Sequence, residues 1–147
     1  MKKIMRMREN KGFTLAELLI VVAIIAVLVA VSIPIFNAQL EKSREATDLA
    51  NLRAAKSEAV SMYLLGDATL GLGDWGTSKQ TANVTVYYDA PNGKLSATAT
   101  TPTYGKGTAT DGGNADASLG YTGTTVASGK IIAVTVTPEG VCTFAWQ

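Results

Sequence analysis

Histidine is absent from the 147-residue sequence, and cysteine occurs once, at Cys142. The missing histidine removes the commonest general base near neutral pH and the commonest ligand for transition metals. A single cysteine cannot form a disulfide within the chain, so packing alone must hold the folded part together. With no phosphate-binding glycine motif either, the composition weighs against an enzyme and predicts that the chain needs no cofactor.

Charge is also scarce, and it is distributed unevenly. Residues 1–12 carry five basic side chains and one acid, whereas the remaining chain carries 8 basic and 11 acidic side chains. The basic residues after Gly12 are spread singly, but nucleic-acid binding needs lysine and arginine clustered on one face. We therefore predict no nucleic-acid partner and a strongly basic N-terminal segment on a mildly acidic chain.

A long apolar run follows the basic segment. Every residue from Leu18 to Val31 is apolar, and residues 32–36 extend the run toward the roughly 20 residues that span a bilayer. Basic residues immediately before the run, and few after it, favour a cytoplasmic N-terminus. The pattern predicts a single-pass membrane helix with the remainder of the chain outside the cytoplasm.

Two simpler interpretations of this run are a secretory signal cut near Ala30-Val31-Ser32 and a plain signal anchor. Pro34 lies just beyond such a cut, and the helical pattern continues past it. Glu17 weighs against both interpretations, because an unpaired carboxylate deep in a membrane costs about 2.5–3.5 kcal/mol on insertion scales. Glu17 therefore either reaches the headgroup level or meets a cationic partner.

The segment Lys11–Ile25, KGFTLAELLIVVAII, resembles the class III signal sequence of type IV prepilins and pseudopilins. A short basic leader ends in Gly12 and is followed by Phe13, Thr-Leu, Glu17 and an unbroken apolar helix with Pro34 late in it. The resemblance is close over roughly the first 36 residues and general over the helix that follows.

This resemblance implies a processing and assembly pathway. A membrane-embedded prepilin peptidase would cut between Gly12 and Phe13 on the cytoplasmic side and then methylate the new amino group of Phe13. Phe13 and Glu17 would contribute to subunit assembly, with Glu17 recognising a neighbouring copy; a buried charge pair suits setting the register between subunits. The implied partners are other copies of the chain in a helical homopolymer, the peptidase/methyltransferase, a pilus assembly platform and, before assembly, membrane lipid.

Helix-forming residues continue after Phe36 without glycine or proline as far as Gly66, so one helix is predicted from about residue 14 to 65. Pro34 is expected to bend this helix near residues 30–34. Arg44 and Asp48 are spaced to pair on the exposed side. The predicted buried stripe consists of Leu40, Leu49, Leu52, Ala59, Val60, Met62, Tyr63 and Leu64.

Alternating apolar residues predict strands near residues 82–89, 94–101, 130–137 and 141–146, joined in pairs by turns at Pro91-Asn92-Gly93 and Pro138-Glu139-Gly140. Residues 102–129 are predicted to form a long loop with at most one short strand. Cys142, on the same strand face as Phe144 and Trp146, is interpreted as a core residue.

The predicted fold is therefore α+β, in agreement with the type IV pilin fold: a long N-terminal helix, its first half hydrophobic and projecting, packed on an antiparallel sheet of about four strands. The expected organisation is a cleaved leader (1–12), a transmembrane and assembly helix (13–36) and a globular head (37–147). Within the head, we expect an amphipathic helix (37–65), a connecting segment (66–81) and the sheet (82–147).

Two other motifs are weaker. Residues 111–116, DGGNAD, place three oxygen-bearing side chains in a glycine loop, but their spacing matches no complete calcium loop, and a solvated turn explains them equally well. Asn83-Val84-Thr85 fits a glycan acceptor pattern but falls in a predicted strand. Neither motif changes the predicted function.

The resemblance implies a structural subunit of a type IV pilus, a major pilin serving adhesion, motility or aggregation. The alternative is a pseudopilin of a type II secretion or competence DNA-uptake system, whose N-terminal helix would have the same pattern. In either case the precursor is expected in the cytoplasmic membrane, and the assembled pilin at the cell surface.

Overall fold

The computed structural model describes residues 12–66, 82–99 and 102–147. In these ranges one helix, α1 (Leu15–Leu65), precedes four strands, β1 (Val84–Asp89), β2 (Lys94–Ser96), β3 (Ile132–Val136) and β4 (Cys142–Trp146). A 3₁₀ turn, Ala117–Leu119, lies between β2 and β3. The chain divides into two compact units between Phe36 and Asn37.

The first unit contains the apolar part of α1. Every residue from Gly12 to Phe36 is exposed, and the residues from Leu18 to Val31 are all apolar. By length and composition this helix is able to cross a membrane. Pro34 lies inside α1, and the bend expected there remains a prediction.

The second unit contains a four-stranded antiparallel sheet in the order β2-β1-β3-β4. β1 pairs with β2 through Tyr88↔Leu95 and with β3 through Val86↔Val134. β3 pairs with β4 along its full length, from Ile132↔Trp146 to Val136↔Cys142. Because side chains alternate along a strand, this register places Val86, Val134 and Phe144 on one face, whereas Ala133 lies on the other.

The core lies between that face and the second half of α1. The helix contributes residues spaced three or four apart, which form one stripe on its surface: Leu49, Leu52, Ala55, Ala59 and Met62. The main sheet residues of the core are Val86, Tyr88, Leu95, Ile132, Val134 and Val136, with Cys142, Phe144 and Trp146 packed at its edge. The predicted helix, four-stranded antiparallel sheet and α+β fold are thus confirmed.

Some details of the prediction were wrong. β2 ends at Ser96 instead of near residue 101. The predicted loop at residues 102–129 contains a 3₁₀ turn and an isolated bridge between Asp116 and Tyr121, which does not conflict with the prediction. Three residues of the predicted stripe, Leu40, Val60 and Leu64, are exposed. Val60 and Leu64 are offset from the centre of the buried series by about 100° and about 140° of helical rotation, respectively. Of the predicted connecting segment, residues 67–81 lie outside the described ranges.

The contrast between Leu52 and Leu64 gives a test of this core. Leu52 is 1% exposed and Leu64 is 73% exposed on the same helix. We expect Leu52→Ala to lower the free energy of unfolding by about 2–5 kcal/mol, because it leaves a cavity. Leu64→Ala is the matched control and should change it by less than about 0.5 kcal/mol. Denaturant unfolding of the full chain in detergent measures both, and equal effects would contradict the packing.

Candidate functional site

The N-terminus of α1 is closed by reciprocal hydrogen bonds between Thr14 and Glu17. The main-chain N–H and the hydroxyl of Thr14 donate to Glu17 Oε2 at 2.8 and 2.7 Å. The main-chain N–H of Glu17 donates in return to Thr14 Oγ1 at 3.2 Å. This is a capping box, in which the residue before the helix and the third helical residue satisfy each other's free N–H groups.

The capping box leaves Gly12 and Phe13 outside the helix. The first main-chain hydrogen bond of the helix runs from Leu18 N–H to the Thr14 carbonyl, at 3.2 Å. Phe13 is 93% exposed, and a Cβ placed on Gly12 would meet no atom within 4 Å. Among the residues that the structure describes, none gives a steric reason for a glycine at position 12.

The structure thus places Glu17 beside Thr14, one helical turn after Phe13. The sequence analysis singled out Gly12, Phe13 and Glu17 but not Thr14. The signal for Thr14 was present, because Thr-x-x-Glu directly before an apolar run is a sequence signature of a helix start. Pro34 lies far along the same helix and does not contribute to this cluster.

A second cluster lies on α1 in the head. Glu41, Glu45 and Asp48, spaced four and three residues apart, share one face of the helix and are all buried, with Glu45 and Asp48 0% exposed. We call these residues the carboxylate row. Buried charges are costly unless hydrogen bonds compensate for the lost water. Here the donors come from the β2–β3 loop, described as residues 97–99 and 102–131.

Asp48 receives the most donors of the three. The main-chain N–H of Lys106 donates to Oδ1 at 2.9 Å, and that of Gly107 donates to Oδ2 at 2.6 Å. The hydroxyl of Tyr121 adds a longer bond to Oδ2, at 3.4 Å. Burial raises the pKa of Asp48 above its ordinary value, while the bonds from Gly107, Lys106 and Tyr121 oppose that shift. Asp48 thus joins two parts of the loop to the helix.

Glu45 and Glu41 hold the segment between those two parts. The N–H groups of Gly112 and Asn114 donate to Glu45 Oε1 and Oε2 at 2.6 and 2.9 Å. Glu41 accepts the N–H of Thr108 and an Arg44 guanidinium N–H, the latter at 3.1 Å. Burial opposes ionisation of Glu41, yet these bonds hold its pKa below the ordinary value.

The predicted pairing of Arg44 with Asp48 is therefore wrong. Arg44 pairs with Glu41, three residues away. Asp48 faces the loop because five main-chain N–H groups of this glycine-rich segment need acceptors where they meet the helix. The sequence signal for the carboxylate row was three acids on one helical face, followed later by a glycine-rich stretch. Spacing alone, however, does not distinguish a buried row of acids from a solvated one.

Glycine makes the close approach of the loop possible. A Cβ on Gly107 would lie 2.6 Å from Tyr121 Oη and 2.9 Å from Asp48 Oδ2, and a Cβ on Gly112 would lie 2.6 Å from the main-chain N of Lys42. Larger side chains at these two positions would push the loop off the helix. Glycine at these two positions is thus what allows the loop to reach the carboxylate row.

Both aspartates of the predicted polar turn at residues 111–116 make hydrogen bonds within the chain. Asp111 Oδ1 accepts the N–H of Gly113 at 2.8 Å. Asp116 caps the 3₁₀ turn through Ser118 and pairs with Arg53 at 3.4 Å. Across the described ranges, no group of three His, Cys, Asp or Glu side chains is placed to hold a metal ion.

Cys142 packs against the core, and burial raises the pKa of its thiol.

Comparisons with known proteins each match part of the chain. A family model described as "Prokaryotic N-terminal methylation motif" matches residues 7–33. The chain is 33% identical to the type IV major alpha-pilin of Moraxella bovis over 79 residues, 54% of this chain and 50% of that protein. It is 32% identical to the fimbrial protein EcpC of Eikenella corrodens over 96 residues, 60% of this chain and 62% of that protein.

A third relative is the type IV major pilin protein PilA of Myxococcus xanthus, 43% identical over 55 residues, 37% of this chain and 25% of that protein. The chain spans about half the length of the first of these relatives. No solved structure gave a significant match.

The carboxylate row leads to a stability prediction. Asp48→Ala should lower the free energy of unfolding by at least about 1–3 kcal/mol, because it leaves buried N–H groups without an acceptor. Glu58→Ala, on the same helix but partly exposed, is the matched control and should have a small effect. Hydrogen exchange should show faster exchange of the Lys106 and Gly107 amides in Asp48→Ala alone. Unchanged protection of those amides would contradict the assignment.

Proposed function

We propose that this chain is a structural subunit assembled into a type IV pilus through α1. The premise is that it belongs to the family of type IV pilins and pseudopilins. The observation that carries the proposal is the exposed apolar surface of α1 up to Phe36, attached to a head with its own packed core. Such a surface needs lipid or other copies of the same helix around it.

The energetics of assembly support a specific charge pair. Moving a helix from lipid into a protein filament adds little hydrophobic stabilisation, so close packing and polar contacts must favour association. Glu17 is the only charged residue between Gly12 and Phe36. A cationic partner would compensate its charge inside an apolar filament, and leaving such a pair broken would be costly.

Processing would supply that partner. Cleavage between Gly12 and Phe13 converts a neutral amide into a free amine, and methylation of that amine preserves its positive charge. We propose that the Phe13 amine of one copy meets Glu17 of another, which sets the register between subunits. The exposure of Gly12 and Phe13 leaves the peptide between them accessible to a prepilin peptidase.

The remaining parts of the proposal concern place and role. Before processing, the chain would span the cytoplasmic membrane once with its basic leader in the cytoplasm; after assembly it would lie in a surface fibre. Pro34 would bend the helix. The described contacts of the head are structural, and the relatives are named as pilins and fimbrial proteins, so we infer a structural protein without catalytic activity. Adhesion, motility or aggregation would be properties of the fibre.

A paired test separates processing from assembly. Glu17→Gln keeps a side chain that fits the capping box but removes the negative charge, so the chain should be cleaved yet give at least about 10-fold fewer fibres. Gly12→Val meets no atom in the described part of the chain and should accumulate as an uncut membrane precursor without fibres. Mass spectrometry of membranes and of sheared fibres measures both effects.

Normal fibre yield from Glu17→Gln would contradict the role of the charge pair, and cleavage of Gly12→Val at the same bond would contradict the processing site.

The amount of protein recovered also distinguishes the two family roles. Abundant surface fibres built of this chain support a major pilin, whereas few copies and no visible fibres would favour a pseudopilin of a secretion or DNA-uptake system.

A further inference from the structure

The hydrogen bonds of the capping box bear on where leader removal occurs. In an α-helix, each N–H donates to the carbonyl four residues earlier. If α1 extended by two residues, Ala16 N–H would bond the Gly12 carbonyl, which belongs to the peptide that is proposed to be cut. Glu17 N–H would bond the Phe13 carbonyl in the same way. The two residues flanking the cut would then be held in the helix.

Thr14 accepts a hydrogen bond from the main-chain N–H that such an extension would need, that of Glu17. Glu17 N–H is already bonded to Thr14 Oγ1 at 3.2 Å, and Thr14 N–H is bonded to Glu17 Oε2 at 2.8 Å. Both groups are therefore engaged within the box, and the ladder of α1 begins with Leu18 N–H on the Thr14 carbonyl. The helix stops short of the Gly12–Phe13 peptide because these bonds terminate it.

Gly12 contributes to the same outcome. Glycine is about 1 kcal/mol less favourable than alanine inside a helix, and no atom of residues 12–66, 82–99 or 102–147 would crowd a Cβ at this position. Gly12, which disfavours helical backbone, is thus followed two positions later by Thr14, which caps the helix start. Between them lies Phe13, exposed and outside α1.

We propose that Thr14 is a positioning residue for leader cleavage: by starting α1 at Leu15, it keeps the Gly12–Phe13 peptide free of helical hydrogen bonds and open to a peptidase that binds extended chain. This inference rests on the proposed function, since it concerns the rate of that processing step. It assigns Thr14 a role before assembly, separate from any role of the Glu17 charge afterwards.

The test measures cleavage rate on the full chain in phospholipid vesicles with purified prepilin peptidase. Thr14→Ala removes the cap and should slow cleavage by about 3- to 10-fold, as expected from the usual contribution of a cap. Thr14→Ser retains the hydroxyl and should be cleaved at the wild-type rate. Both variants should insert into vesicles equally, because the apolar helix is unchanged.

A second substitution restores the helix start by other chemistry. Proline is favoured at the first helical position and disfavours helical backbone in the residue before it. Leu15→Pro combined with Thr14→Ala should therefore return the rate to within about 2-fold of wild type, although the threonine hydroxyl is absent. Leu15→Ala in the same background is the matched control, and it should leave cleavage slow.

The outcomes separate this inference from the proposed function. If the wild-type chain is not cut between Gly12 and Phe13, the proposed function is overturned. If the wild type is cut there and Thr14→Ala is cut equally fast, the inference fails and the function stands. If Thr14→Ala is slow but Leu15→Pro does not restore the rate, the peptidase contacts the threonine itself, and the inference also fails.

Discussion

The 51-residue helix α1 has to satisfy two different surroundings along its length. Up to Phe36 it is apolar on every side, so it can be stable only among lipid tails or other apolar helices. From Asn37 onward one stripe packs on the sheet, while the rest of the surface is largely polar apart from exposed residues such as Val60 and Leu64. The head follows from this division, because the sheet covers the apolar stripe of the second half of the helix.

The head solves a second problem at the start of its helical part. Beyond the reach of the sheet residues, α1 is covered by the glycine-rich β2–β3 loop, which also contributes Leu119 and Tyr121 to the core. The carboxylate row accepts five main-chain N–H groups of that loop, so hydrogen bonds to buried carboxyl groups hold the loop on the helix. The loop therefore depends on the helix for its conformation, and Gly107 and Gly112 are required for its approach.

The sequence predicted the elements with strong periodicity and missed those that depend on distant contacts. Alternation around Val86, Val134 and Phe144 located three strands, and the absence of breakers located the ends of α1 within one residue. The burial of Glu41, Glu45 and Asp48 was not predictable, because the same spacing describes an exposed acidic face. The exposure of Leu64 was likewise invisible, since an imperfect stripe does not show which leucines meet the sheet. The Thr14–Glu17 box was readable but was overlooked.

The central claim is that an exposed apolar helix, freed from a basic leader, joins copies of this chain into a fibre. The most direct measurement is the intact mass and N-terminal sequence of the species in fibres sheared from producing cells. A chain that begins at Phe13 and carries one added methyl group is the predicted result. Uncut chain, or a chain that begins after Ser32 in the absence of fibres, would contradict the account and support a signal anchor or a secreted protein.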